Sequence, residues 1–219
     1  MASGGTGGAV GSPLAALLHD VATGRYPPPD GSVTILPQPS ARDAGVISFT
    51  AHSVIFIDVD PVWVRGQLPP GDLAGPLLPP FLQAMCAKTG RRVNNIDLIC
   101  VTAPRSGRPP LTLSPVVAVS HPRVARALRY RDDVRVWQSP GGIVMLGRGV
   151  AGRWEVGVEV EPGYRGKGLG RELALAARHL VPGGAPLWAQ IAPGNAASIR
   201  AFLAAGYRPV GAEALLPLA

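Results

Sequence analysis

The stretch from Trp154 to Leu180 constrains the fold more than any other part of this 219-residue chain. Trp154 to Val160 alternates apolar with polar or small residues, the period of a strand with one buried face. Glu161-Pro162-Gly163-Tyr164-Arg165-Gly166-Lys167-Gly168-Leu169-Gly170 follows, and Leu169, Leu173, Ala176 and Leu180 then recur at helical spacing. A strand, a glycine loop with two cations and a helix start make an anion cradle, because several backbone N–H groups converge there on the positive end of the helix dipole. Gly166, Gly168 and Gly170 keep side chains out of the approach and permit positive φ, while Arg165 and Lys167 add charge beside it. The loop suits a phosphate-bearing ligand.

Spacing separates the nucleotide folds that use such loops. A P-loop needs a hydroxyl residue directly after its Gly-Lys pair, and here Gly168 follows Lys167. A dinucleotide fingerprint wants its glycine turn at the strand end and an acid closing a second strand about 20 residues later. No acid occurs from Pro186 to Ile191. A plain glycine turn is the remaining alternative on the loop alone.

The continuation decides further. Arg165-Gly166-Lys167-Gly168-Leu169-Gly170 resembles the acyl-CoA pyrophosphate signature of the GNAT superfamily of N-acetyltransferases: Arg or Gln, two residues, Gly, one residue, then Gly or Ala. Leu187-Trp188-Ala189-Gln190-Ile191 reads as a strand, and the run from Pro193 through Asn195, Ser198, Arg200 and Phe202 to Gly206-Tyr207 is similar to that family's second half-motif. In its own right this run reads as a helix capped by Asn195, with Ile199, Phe202 and Leu203 on one face and a left-handed cap at Gly206. The resemblance implies a mixed central sheet flanked by helices over residues 111–219, with acetyl-CoA as co-substrate and no metal. It places the cofactor on the backbone of Val158 and Val160, on Arg165, Gly166, Lys167, Gly168, Leu169 and Gly170, and near Asn195, Ser198 and Arg200. For Asn195, capping and cofactor contact stay open together.

The chemistry implied is direct attack of an amine on the thioester, which needs positioning, a base for the ammonium and a donor for the developing oxyanion. The family's oxyanion donor is a backbone N–H on the strand before the loop, near Val160. Glu155, Gly157, Glu159 and Glu161 share one face of that strand, so like-charge repulsion is expected to raise the least solvated carboxyl toward a useful value. Glu159 is the first candidate base and Glu155 the second; an exposed, solvated edge is the alternative. Phe202 stands where many members place a Tyr acid, and Phe cannot donate a proton. Tyr207, the nearest other phenol, occupies a core position. A catalytically weak acyl-CoA-binding regulatory module is therefore the second reading beside the acetyltransferase.

The net charge of +7 is unevenly divided: residues 1–110 carry 8 basic and 7 acidic groups, residues 111–219 carry 13 and 7. The basic half holds the cradle and would steer an anionic ligand. Dispersed arginines without aromatic interleaving argue against nucleic acid. A carboxylate-rich strand would accept a small-molecule or peptide amine. Cys86 and Cys100 lie in apolar stretches without His or Cys at ligand spacing, so buried, reduced thiols are expected. Met1 to Pro13 lacks the basic and apolar regions of a signal peptide, and no apolar run reaches membrane-spanning length, so the expectation is a soluble cytoplasmic protein.

Three segments are expected: a disordered tail over 1–13, an N-terminal α+β lobe over 14–110 and the acetyl-CoA-binding domain over 111–219. Ala103 to Pro110 is the boundary, where Gly, Pro and charge interrupt every periodic pattern. About 105 residues beyond it is short for the fold, so a first strand from before residue 110 is allowed for. In the lobe, Val33 to Leu36, Gly45 to Thr50, Ser53 to Val59 and Ile96 to Thr102 read as strands and Phe81 to Thr89 as a helix. His52 with Asp58 and Asp60 offers a weak metal or acid-base grouping against the simpler reading of core and turn residues. The lobe's role, substrate-shaping or homodimer-forming, is left open.

Overall fold

The computed structural model describes residues 11–116 and 121–218. In chain order its elements are α1 (Pro13–Ala22), β1 (Val33–Leu36), β2 (Gly45–Phe49), β3 (His52–Phe56), α2 (Pro61–Gly66), α3 (Pro79–Thr89), β4 (Ile96–Thr102), β5 (Ser114–Val116), α4 (Pro122–Tyr130), β6 (Asp132–Ser139), β7 (Gly142–Arg148), β8 (Trp154–Val160), α5 (Leu169–Leu180), β9 (Leu187–Ile191), α6 (Ala196–Ala204) and β10 (Arg208–Leu215). Residues 1–10 of the expected tail lie outside the described residues, and Pro13 already opens a helix whose Ser12 cap accepts from the Ala15 N–H.

The chain forms two compact units, and the boundary differs from the one expected. The first comprises residues 1–96, 150–152 and 211–219; the second comprises 97–149 and 153–210. Ala103 to Pro110 thus lies inside the second unit. Local Gly and Pro content marked a loop there, whereas unit membership follows strand pairing, which sends β4 antiparallel onto β9 from Leu98↔Ile191 to Thr102↔Leu187. A strand from before residue 110 does complete the second unit.

In the first unit the strand order is β1, β3, β2, β10. β1 runs parallel to β3, and β2 is antiparallel to both β3 and β10, so the sheet is mixed. Val46, Ile55, Phe81, Met85 and Ala214 form its core. Asp60 caps α2 by accepting from the Val62 N–H, and Gly90 ends α3 at φ 67°. His52 is buried among hydroxyls: Nε2 lies 2.9 Å from Thr34 Oγ1 and Nδ1 3.2 Å from Ser32 Oγ, with Asp30 at 3.3 Å. Asp58 instead accepts from the Gln38 N–H. The grouping of His52 with Asp58 and Asp60 is therefore not formed, because each group is engaged by a different local partner.

In the second unit the order is β4, β9, β8, β7, β6, β5. Every neighbouring pair is antiparallel except β8 and β9. The alternation along β7 sends Val144 and Leu146 to a core shared with Leu173, Ala174 and Ala177 of α5 and Phe202 of α6. Ile143 and Met145 face the other way, under Val124 and Ala127 of α4. Helices thus cover both faces of a mixed sheet, the architecture the sequence implied.

Candidate functional site

β8 and β9 start together and then part. They pair in parallel at only two positions, Trp154↔Leu187 and Glu155↔Trp188, although β8 continues to Val160 and β9 to Ile191. On its other edge β8 stays paired with β7 along its whole length, from Arg148↔Trp154 to Gly142↔Val160. The Glu161 N–H donates to Gly141 O at 2.9 Å, toward the β7 side. Strand groups alternate sides with period two, so the N–H and C=O of Val158 and Val160 turn to the other edge, beyond the last rung shared with β9. The Val160 carbonyl is reached there by Arg165 Nε at 3.0 Å. The result is a strand edge with exposed backbone donors leading directly into the glycine loop.

The loop is held from both sides. A single 3-10 turn at Pro162–Tyr164 follows β8, and the Tyr164 ring lies over Gly141, where an added Cβ would come within 2.1 Å of the ring. Only a glycine at the β6–β7 turn, with φ 78°, admits that ring. Lys167 Nζ donates to Gly163 O at 2.9 Å and sits 5.9 Å from the Tyr164 ring centroid. Gly166 and Gly168 have φ of 75° and 89°, as expected. Gly170 does not: it lies inside α5, and a Cβ there would make ordinary contacts with Val160 and Ala201 at 3.7 and 3.8 Å. An alanine would therefore fit there, packed against β8 and α6, without displacing either.

No side chain caps α5, whose N-cap is Gly168. Among the described residues, none of the N–H groups from Gly166 to Gly170 is donated within the protein, while the Arg171 N–H closes onto Gly168 O at 3.0 Å. Open space surrounds the Cβ positions of Gly166 and Gly168. Free donors, the helix dipole and two exposed cations fit a pyrophosphate chemically.

At α6, Asn195 Oδ1 accepts from the Ser198 N–H at 3.1 Å, so the cap is formed. Gly206 (φ 86°) ends the helix with Tyr207 N–H donating to Phe202 O at 3.1 Å. Phe202 is buried and meets Tyr207 edge-on, with centroids 4.8 Å apart. The Tyr207 hydroxyl donates to Ala174 O at 3.1 Å, and burial raises its pKa far above the ordinary phenol value. Neither ring supplies a proton. Leu203, placed on the core face by the sequence pattern, is 42% exposed.

The carboxylates of β8 are not a repelling row. Glu155 is 2% exposed and accepts from Arg153 Nε through one oxygen and Arg131 Nε through the other, both at 2.9 Å. Burial alone pushes its carboxyl up, but Arg153 and then Arg131 outweigh that, and the net shift is downward. The expectation that repulsion raises Glu155 toward a working base is thus corrected: two guanidinium ions lock it ionised. Gly149 is required beside it, since a Cβ there would fall 2.2 Å from the carboxylate carbon. Glu159 is one-third exposed and pairs with Arg123 Nε at 2.8 Å. Glu161 opens the loop and is exposed. The sequence reading missed Arg123, Arg131 and Arg153; for the first two the signal available was the arginine spacing on and beside α4, and for Arg153 its place two residues before Glu155.

The family model described as Acetyltransferase (GNAT) family matches residues 131–207, which hold the open strand, the cradle and the capped helix. That segment belongs to the GNAT acetyltransferase family. The chain is also similar to solved structures at low identity. A GCN5-related N-acetyltransferase from Kribbella flavida is 18% identical, with 62% of this chain and 63% of that chain covered at a TM-score of 0.41. A GCN5-related N-acetyltransferase from Sphaerobacter thermophilus is 13% identical, with 62% and 55% covered at a TM-score of 0.38. The match therefore spans less than two thirds of either chain. No curated protein matches. Among the described residues, no helix is long and apolar enough to cross a membrane.

Proposed function

We propose that this protein transfers an acetyl group from acetyl-CoA directly to an amine. The observation that carries the reading is the continuity of the open β8 edge with the undonated N–H groups of Gly166 to Gly170. Acetyl-CoA, when bound, supplies an activated thioester. The chain's own residues would do the rest. Gly166 to Gly170 hold the pyrophosphate, with charge from Arg165 and Lys167. Arg165 also ties the loop to β8 through the Val160 carbonyl.

The Val158 N–H, on the open side, donates to the carbonyl oxygen as negative charge develops there. Glu159 takes the ammonium proton. Its pair with Arg123 is exposed enough that an arriving cation displaces the guanidinium at a cost of at most about 1 kcal/mol. The leaving thiolate, with a parent pKa of about 8.5, takes its proton from water, since Phe202 and Tyr207 are closed to the site. Asn195 and Ser198 serve the cradle by fixing the start of α6. An acyl-CoA-binding module without turnover is the second reading, favoured by the buried Phe202 alone.

The test is thiol release from acetyl-CoA in the presence of a panel of amines. Glu159→Gln is expected to lower kcat about 100-fold or more, the scale of a positioned base, with the KM for acetyl-CoA held. Full turnover by that variant would remove Glu159 from the mechanism.

A further inference from the structure

The cradle has little of its own to hold it in shape. Gly166 and Gly168 take φ of 75° and 89° in open space, and no side chain caps α5. Among the described residues, the N–H groups of Gly166 to Gly170 meet no acceptor. Glycine gives up more backbone freedom on ordering than any other residue, so donors carried on such a loop converge only if something outside it fixes the chain.

The restraint comes from the two residues just before the loop, which are tied to different strands. Arg165 Nε donates to Val160 O at the end of β8, 3.0 Å away. Tyr164 goes the other way, to the turn between β6 and β7. The point that a Gly141 Cβ would occupy lies 2.1 Å from Tyr164 Cγ and 2.3 and 2.4 Å from Cδ1 and Cδ2. Such near-equal distances put that point over the face of the ring, so the ring stacks by its face on Gly141. The Glu161 N–H donates to Gly141 O and the Tyr164 N–H to Glu161 O, both at 2.9 Å, which closes the approach to the loop onto the same turn. Tyr164 is 44% exposed and stands outside the apolar core of its unit, so its stacking adds little to global stability.

Resting on the acyl-CoA reading above, we infer that Tyr164 and Gly141 are positioning residues for the cofactor. The ring, seated on the one glycine of the turn that admits it, holds the cradle in its binding shape before the ligand arrives, so that binding energy is not spent on ordering the loop. Both residues act on the ligand through the backbone of Arg165 and Gly166.

The experiment is calorimetry of the full chain with CoA as the probe, with urea unfolding alongside. Tyr164→Ala is expected to raise the CoA dissociation constant about tenfold, and Tyr164→Phe, which keeps the ring, to stay within about twofold of wild type. Gly141→Ala drives a methyl group into the ring and is expected to weaken CoA binding about tenfold as well; it also sets an alanine at φ 78°, which lowers stability in any background. In the Tyr164→Ala background the same methyl meets no ring, so Gly141→Ala is expected to add less than about twofold to the dissociation constant while its cost in urea persists. Unchanged CoA affinity in Tyr164→Ala overturns the inference, as does a Tyr164→Phe protein as weak as Tyr164→Ala. Equal weakening by Gly141→Ala in both backgrounds assigns the effect to strain in the turn and also overturns it. The two Tyr164 variants decide the matter even where Gly141→Ala fails to fold. No CoA binding by the wild-type protein overturns the acyl-CoA reading together with this one, so the two failures are distinct.

Discussion

Replacing Glu155 by Gln tests whether this carboxylate is structural or catalytic. In the native protein both oxygens accept guanidinium N–H groups at 2.9 Å, and Arg153 beside them is itself only 8% exposed. The amide keeps the shape, yet it turns one acceptor into a donor that faces a donor, and it takes the Glu155 counter-charge from the buried Arg153 and the partly buried Arg131. Breaking a buried pair in this way costs about 3–5 kcal/mol, which for a chain of this size lowers the unfolding temperature by roughly 10 °C. The sign of the pH dependence follows from the lowered carboxyl pKa. The stabilisation is present above the unfolded carboxyl value and is lost as pH falls through the folded one, so the gap between wild type and variant is full at neutral pH. It narrows below about pH 4. Urea unfolding of both proteins from pH 3 to pH 8 measures it. A difference under about 1 kcal/mol at pH 7, or a gap that widens on acidification, refutes the account of a locked ion cluster.

Two further outcomes follow from the same geometry. Gly168→Ala places a side chain in a left-handed conformation at φ 89° with no clash, so it is expected to cost about 1–2 kcal/mol of stability and to weaken CoA binding, read by urea unfolding and calorimetry. The Cys100 thiol is buried and its pKa is pushed up to about 11, so at pH 8 it is expected to resist iodoacetamide in the folded protein and to react after denaturation, with peptide mapping as the readout.

Local pattern made much of the second unit legible. β8, β9 and β4 have the bounds their periodicity indicates, because each carries its own apolar alternation. β5 was not readable: it is a three-residue edge strand containing Pro115, recognisable only from its pairing with β6. The unit boundary was missed for a related reason, since β4 and the end of β10 are assigned by partners distant in sequence. At the site, the glycines and cations of the cradle were legible because loop, dipole and charge are contiguous. The state of Glu155 was not, because its two arginines come from the end of α4 and from the turn before β8, and one of them lies 24 residues away.

The measurement that bears most directly on the central claim is thermal unfolding of the protein alone and with millimolar acetyl-CoA, CoA, ATP or NAD. A ligand of the native state raises its apparent stability by about 2.7 kcal/mol at 100 times its dissociation constant. The account predicts an upward shift with acetyl-CoA and CoA that exceeds any shift with ATP or NAD, and that is lost in Arg165→Ala combined with Lys167→Ala. No shift with either CoA species, or an equal shift with ATP and NAD, would contradict an acyl-CoA cradle.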